Sequence, residues 1–159
     1  MVSLCSYIKE DLPELSEWRS KFEHKYCLAL MVCRQGDIWL QKRDNKEGIF
    51  YPDKISLFGG AREIHESPFE CLYRELREEV GLDQLGDNVE LIAHVQETDI
   101  KNGESEGYVF LVHISSESIS EAREGTYSRV QANEITKIYH ELTPIAAYAC
   151  SWFLNKHNC

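Results

Sequence analysis

What the chain has little of narrows the field first. Its six cysteines include no C-x-x-C pair, which argues against a zinc site. Cys27 and Cys33 fall on one extended stretch, six residues apart and too far along it to bond each other. No apolar run approaches the length of a membrane span, and the N-terminus lacks the basic-then-apolar order of a secretory signal. Reduced thiols (Cys5, Cys27, Cys33, Cys71, Cys150 and Cys159) in a cytoplasmic protein are the resulting expectation. Positive charge is scarce: 17 Lys and Arg stand against 27 Asp and Glu, a net charge of -10 with no basic run or stripe. That balance disfavours a membrane surface or a nucleic acid as partner. A small phosphorylated substrate stays compatible with it where metal ions bridge carboxylate to phosphate. Internal repeats, low-complexity tracts and dividing linkers are missing too, so residues 1–159 are expected to form a single domain.

What is present centres on the stretch from Gly59 to Leu82. The pair Gly59-Gly60 permits backbone angles and close approaches that a side chain blocks. Ser67 is placed as an N-cap, Pro68 as the first helical residue, Glu70 as the third position of a capping box, and Gly81 as the stop. Within that helix, Phe69, Leu72, Tyr73, Leu76 and Val80 form one apolar stripe, which predicts burial. Glu75, Glu78 and Glu79 stand at i, i+3 and i+4 and are expected off that stripe, on a separate acidic face. Crowded carboxylates repel one another, and either solvent or a hard divalent cation with oxygen ligands relieves them.

The spacing then carries a resemblance. Gly60, Glu66, Arg74-Glu75-Leu76, Glu78-Glu79 and Gly81-Leu82 match the Nudix box at each of its nine defined positions. The chain resembles the Nudix hydrolases, and the resemblance implies an α+β chain with the Nudix fold: an α/β/α sandwich around a mixed sheet, the box a loop-helix-loop. It also implies cleavage of a diphosphate bond in a nucleoside diphosphate linked to another group, by attack of water on phosphorus, with Mg²⁺ or Mn²⁺. Carried over residue by residue, Glu78 and Glu79 match the principal metal ligands, with Glu75 a further ligand and the Gly59 carbonyl another. Arg74 matches an arginine that holds Glu75 or Glu66 in place, and Glu66 a residue that steadies the loop. The general base differs among subgroups: Glu79 or Glu75 within the box, or a glutamate of a later loop, where Glu121 and Glu124 are the candidates. His65 stands where many relatives have glycine, and Phe58 where many have proline. The alternative reading is a non-catalytic Nudix-like module that senses a nucleotide or binds a protein; the retained carboxylates weigh against it. Markers of the ADP-ribose and dinucleoside polyphosphate subgroups are missing, with Glu97 and Thr98 to Ile100 in their places. Dimerisation is common in the family, so a monomer or a homodimer fits.

Around the box, residues 1–24 read as an arm or short helix, with Leu12, Leu15, Trp18 and Phe22 at roughly helical spacing and Trp18 as its anchor. Tyr26 to Cys33 reads as a central strand, Gln35-Gly36-Asp37 as a turn and Ile38 to Arg43 as its hairpin partner. Arg43 is either a solvated strand end or a phosphate contact. Phe50 and Tyr51, in the loop from Asp44 to Asp53, either pack or flank a base. Val89 to Thr98 and Gly107 to Ser115 read as a second hairpin around Asn102-Gly103, and Ser116 to Glu134 as a polar irregular loop. Thr143-Pro144 opens a closing helix over 143–156, with Ile145, Tyr148, Ala149, Trp152 and Phe153 as its apolar stripe.

Overall fold

The computed structural model describes residues 2–6, 17–45, 47, 51–82, 89–99, 103–115 and 126–157. In chain order the elements are β1 (Val2–Ser6), β2 (His24–Cys33), β3 (Ile38–Lys42), β4 (Ile55–Ser56), β5 (Phe58–Ala61), α1 (Pro68–Val80), β6 (Val89–Asp99), β7 (Gly103–Ile114), β8 (Thr126–Val130), a 3-10 helix (Ala132–Glu141) and α2 (Pro144–His157). The eight strands make one mixed sheet in the order β1-β6-β7-β2-β3-β4, with β5 also paired to β2 and β8 to β3. Among the described strands β2 and β7 run parallel, and the other named strand pairs are antiparallel.

The near-continuous apolar run of β2 follows from its place in the middle. Cys27, Ala29, Met31 and Cys33 point to one face, where Cys71, Leu72, Leu76 and Val80 of α1 cover them. Leu30 and Val32 point to the other face, against Ile135 of the 3-10 helix and Ala146, Ala149, Cys150 and Phe153 of α2. A strand covered on both sides has no reason to alternate polar residues. The β2–β3 hairpin turns at Gly36, whose φ of 86° suits glycine, and the Asp37 carbonyl accepts from the Cys33 N–H at 2.9 Å. The α+β sandwich expected from the sequence is the one observed. At α2, Thr143 Oγ1 accepts from Ala146 N at 3.4 Å, the expected N-cap, while the buried stripe runs through Ala146, Ala149, Cys150 and Phe153, with Ile145, Tyr148 and Trp152 at its margins.

Three expectations are corrected. The arm contains a strand, β1, added to the sheet edge on β6; of the two readings given for the arm, residues 17–23 take the irregular one and not the helix. Leu12 and Leu15 lie outside the described residues. The stretch read as a polar loop to Glu134 includes β8, paired residue for residue with β3 from Ile38↔Val130 to Lys42↔Thr126, and the start of the 3-10 helix. Ladder pairing uses backbone groups, so a strand on a sheet edge needs little apolar pattern to form. The pair Gly59-Gly60 sits inside β5 rather than in a loop. Among the described residues no helix is long and apolar enough to cross a membrane, and Cys27, Cys33, Cys71 and Cys150 are free thiols.

The arm is fastened at Glu106, a carboxylate fully buried in β7. It accepts from Arg19 N at 2.8 Å, Ser20 N at 3.1 Å and Ser20 Oγ at 2.7 Å, and pairs with His94 Nε2 at 2.9 Å. Burial pushes this acid up, but the bonds from His94, Ser20 and Arg19 outweigh it and hold it at about 2 against an ordinary 4.5. A carboxylate depressed in the folded state stabilises above its unfolded value, and that stabilisation drains away as pH falls from 4.5 towards 2. Its size is on the order of 2–3 kcal/mol. Urea unfolding should therefore find the wild type more stable than Glu106→Gln at pH 7, with the gap narrowing between those two pH values. A gap that stays constant down to pH 2 overturns this account of the buried acid.

Candidate active site

The helix that carries the acids starts and stops where its sequence says. Ser67 Oγ accepts from Glu70 N at 3.2 Å, and Gly81 takes a left-handed conformation (φ 67°) with its N–H on Arg77 O at 3.1 Å. Leu72, Leu76 and Val80 are buried and Phe69 and Tyr73 partly so, all against the face of β2 and β7.

The acids do not share one environment. Glu78 is the open one, its side chain 55% exposed, while Glu75 is mostly covered. Glu79 is buried at 4% exposure, which corrects the expectation that it lies off the apolar stripe. The reason is its phase: it follows Leu72 by seven residues and Leu76 by three, so it falls on the core side of the helix. There its Oε1 accepts from the N–H of Gly59 at 3.0 Å. Glu75 is admitted by Gly60, because a β-carbon on that glycine would stand 2.7–2.9 Å from the Glu75 carboxyl. The glycine pair thus receives two of the three acids, one on the main-chain N–H and one in the space of a missing side chain.

Arg74 gathers the rest. Its Nε donates to Glu66 Oε1 at 2.5 Å and its Nη2 to Glu66 Oε2 at 3.1 Å and to Ala61 O at 2.8 Å. Nη1 donates to Glu75 Oε1 at 3.0 Å and Glu78 Oε2 at 3.1 Å. Planar five-donor geometry makes an arginine suited to holding several carboxylates at once. Glu66 also accepts from Glu63 N at 2.9 Å. Burial pushes Glu66 up, yet the Arg74 hydrogen bond and charge with the Glu63 N–H bring it below its ordinary 4.5. Glu75 goes the other way: burial raises it, and Arg74 offsets that only in part.

The carboxylates of Glu66, Glu75, Glu78 and Glu79 and nearby main-chain carbonyls offer oxygen, and that donor set fits a hard cation of the Mg²⁺ or Mn²⁺ kind. Among the described residues no three ligating side chains converge on one point; Glu66, Glu75 and Glu78 turn instead to Arg74, and Glu79 to the Gly59 N–H. Exposed Glu78 can leave that ion pair at little cost.

The remaining sequence candidates are not on α1. Arg43 stands at the neck of the loop after β3, its backbone N–H donating to Lys54 O at 2.8 Å. Tyr51 is exposed and left-handed at φ 51°. His65 is exposed and left-handed at φ 71°, a backbone shape that favours glycine. Phe50, Glu121 and Glu124 lie outside the described residues. One contact to the box had no local signal: the Trp18 indole N–H donates to the carbonyl of Glu66 at 2.9 Å, across 48 residues of chain.

Similarity to known proteins agrees with this fold. A MutT NUDIX hydrolase from Burkholderia pseudomallei superposes with a TM-score of 0.62 at 21% identity, over 81% of this chain and 96% of that one. The NUDIX domain of Shewanella oneidensis NrtR, complexed with ADP ribose, gives 0.66 at 16% identity over 86% and 90%. A bifunctional NMN adenylyltransferase/ADP ribose pyrophosphatase from Francisella tularensis, complexed with AMP and Mn ion, gives 0.64 at 18% identity over 88% of this chain and 43% of that one. No curated protein matches in sequence. The NUDIX domain model matches residues 24–151. With the box intact from Gly60 to Leu82 and that match spanning most of its length, the chain belongs to the Nudix family.

Proposed function

We propose that this protein is a hydrolase that cleaves a diphosphate bond in a small nucleotide, a nucleoside diphosphate linked to a further group, by attack of water on phosphorus, and that it does so with Mg²⁺ or Mn²⁺. The observation that carries the reading is the placement of Glu75 and Glu79 on Gly60 and Gly59, with Glu78 exposed one turn away. Neighbours whose structures hold AMP with Mn ion, or ADP ribose, support a nucleotide of this size. The net charge of -10 favours a small anion delivered with cations over a long polyanion.

Glu75, Glu78, Glu79 and the Gly59 carbonyl would hold the cation, which when bound supplies charge stabilisation for the phosphoryl oxygens. The chain's own groups do the rest. Glu79, with its Oε1 fixed by the Gly59 N–H, has one oxygen of defined orientation and is the leading proton acceptor for water; Glu75 is its partner in that role, and Glu124 the candidate from outside the box. Arg74 and Glu66 keep the carboxylates in register. Tyr51 offers an exposed ring to a base, and Arg43 a guanidinium to a phosphate.

Phosphate release across nucleoside triphosphates, sugar nucleotides and dinucleotides, first with Mg²⁺ and then with Mn²⁺, tests the proposal. At least one class should turn over, and chelation should remove that activity until a divalent cation is returned. Turnover that persists in chelator refutes the metal assignment. Tight nucleotide binding with no phosphate released over hours favours the sensing module instead.

A further inference from the structure

Glu75 and Glu78 are set by Arg74, Arg74 is set chiefly by Glu66, and Glu66 is the point at which the rest of the protein takes hold. Its side chain receives Arg74 and the Glu63 N–H, and its carbonyl receives the Trp18 indole. Trp18 is itself positioned. Its ring packs on Tyr108 with centroids 5.6 Å apart, and the Arg62 guanidinium lies over it at 5.8 Å. The next two residues, Arg19 and Ser20, give their backbone N–H groups to the buried carboxylate of Glu106. His94 closes the other side of that carboxylate and stacks on Tyr108 at 4.8 Å. A carboxylate with no solvent access and this many donors is expensive to bury for packing alone. Its arm partners lie 86 and 87 residues earlier in the chain, so it joins the arm to the sheet in addition to joining β7 to β6 through His94.

We propose that the segment Trp18–Ser20 is a brace for the box loop, in which Glu106 clamps the segment to the sheet and Trp18 is a positioning residue that holds Glu66, and through it Arg74, Glu75 and Glu78, from outside the motif. The proposal rests on the metal-dependent reading above only for its functional consequence; the brace itself is a property of the metal-free chain. Trp18 touches neither substrate nor cation. It acts by restricting the loop from Arg62 to Glu66, whose internal bonds are Glu63 N to Glu66 Oε2 and Glu66 N to Glu63 O at 3.2 Å.

Amide hydrogen exchange on the metal-free protein reads this without any turnover. Trp18→Phe keeps a ring against Tyr108 and deletes the N–H. The amides of Glu63 and Glu66 should then exchange about tenfold faster, the equivalent of one lost hydrogen bond, while amides of β2 and β7 keep their wild-type rates. Glu106→Gln should speed the same two amides, and the double variant should add nothing for them beyond the larger single effect, because both act along one chain of contacts. Mn²⁺ titration by water proton relaxation gives the second readout. Removing a hydrogen-bond partner of a ligand set typically weakens a metal 10- to 100-fold, and one step further out the half-saturation for Mn²⁺ should rise about 5- to 10-fold. KM for the nucleotide at saturating Mn²⁺ should stay within about twofold. Unchanged loop amides in Trp18→Phe overturn the brace, as does acceleration spread evenly over the sheet, which marks a merely structural role. A wild type that binds no Mn²⁺ overturns the metal reading instead, and the exchange comparison still decides the brace.

Discussion

Glu79→Gln will give a folded protein whose turnover falls by at least about 10²-fold, the range expected when a positioned proton acceptor or a charge on the metal is removed. The fold survives for a specific reason. Glu79 is buried, so its replacement must keep the acceptor that the Gly59 N–H uses, and the amide oxygen of glutamine does so at nearly the same place. Glutamine also removes a charge from a covered position, which costs little and can stabilise. Chemistry and stability should therefore separate: unfolding in urea within about 1 kcal/mol of wild type, and steady-state kcat severely reduced on every accepted substrate. Glu79→Ala is the poorer test, because it strands a partly buried N–H and leaves a cavity at a buried position, mixing a folding defect with a catalytic one. A folded Glu79→Gln protein that turns over at the wild-type rate removes Glu79 from the chemistry.

The same residue shows where sequence reading reaches and where it stops. The ends of α1 were legible because capping is local: Ser67, Pro68 and Gly81 act within a few residues of themselves. So were the β2–β3 hairpin at Gly36 and the covering of β2 on both faces, since turn chemistry and apolar runs are short-range signals. The box residues were legible as a pattern, yet their division of labour was not. Glu75, Glu78 and Glu79 look alike in the sequence and differ in the fold because burial depends on which neighbour each meets: Arg74 for two of them, the β5 backbone for the third. Strands β1 and β8 were missed because they join the sheet by backbone pairing, which leaves little mark on side-chain periodicity. The ties from Trp18 to Glu66 and from Ser20 to Glu106 span 48 and 86 residues, beyond any local pattern. A lone tryptophan ahead of the first long strand was readable as an anchor, but not what it anchors.

Gly59→Ala will destabilise the domain by at least about 3 kcal/mol and carry activity down with it, whereas Gly60→Ala, one residue on, will spare the fold and strike the site. The two glycines differ in what surrounds the missing side chain. At Gly59 the backbone lies at φ 130°, and a β-carbon would fall 2.0 Å from the Cys27 carbonyl oxygen and 2.9 Å from Leu28 Cα. Both are main-chain atoms of β2, the central strand, so relief requires β5 to leave its register with β2 at Leu28↔Gly59. That movement also withdraws the N–H on which Glu79 rests. At Gly60 the obstacle is the Glu75 carboxyl, the far end of a flexible side chain that can swing aside. Urea unfolding should thus show a large loss of midpoint for Gly59→Ala and a small one for Gly60→Ala. Mn²⁺ half-saturation should shift for folded Gly60→Ala, because Glu75 has been displaced from its seat. Equal stability losses at the two positions would show that the glycine pair serves the pairing of β5 with β2 alone, and would detach Glu75 from the strand that seats it.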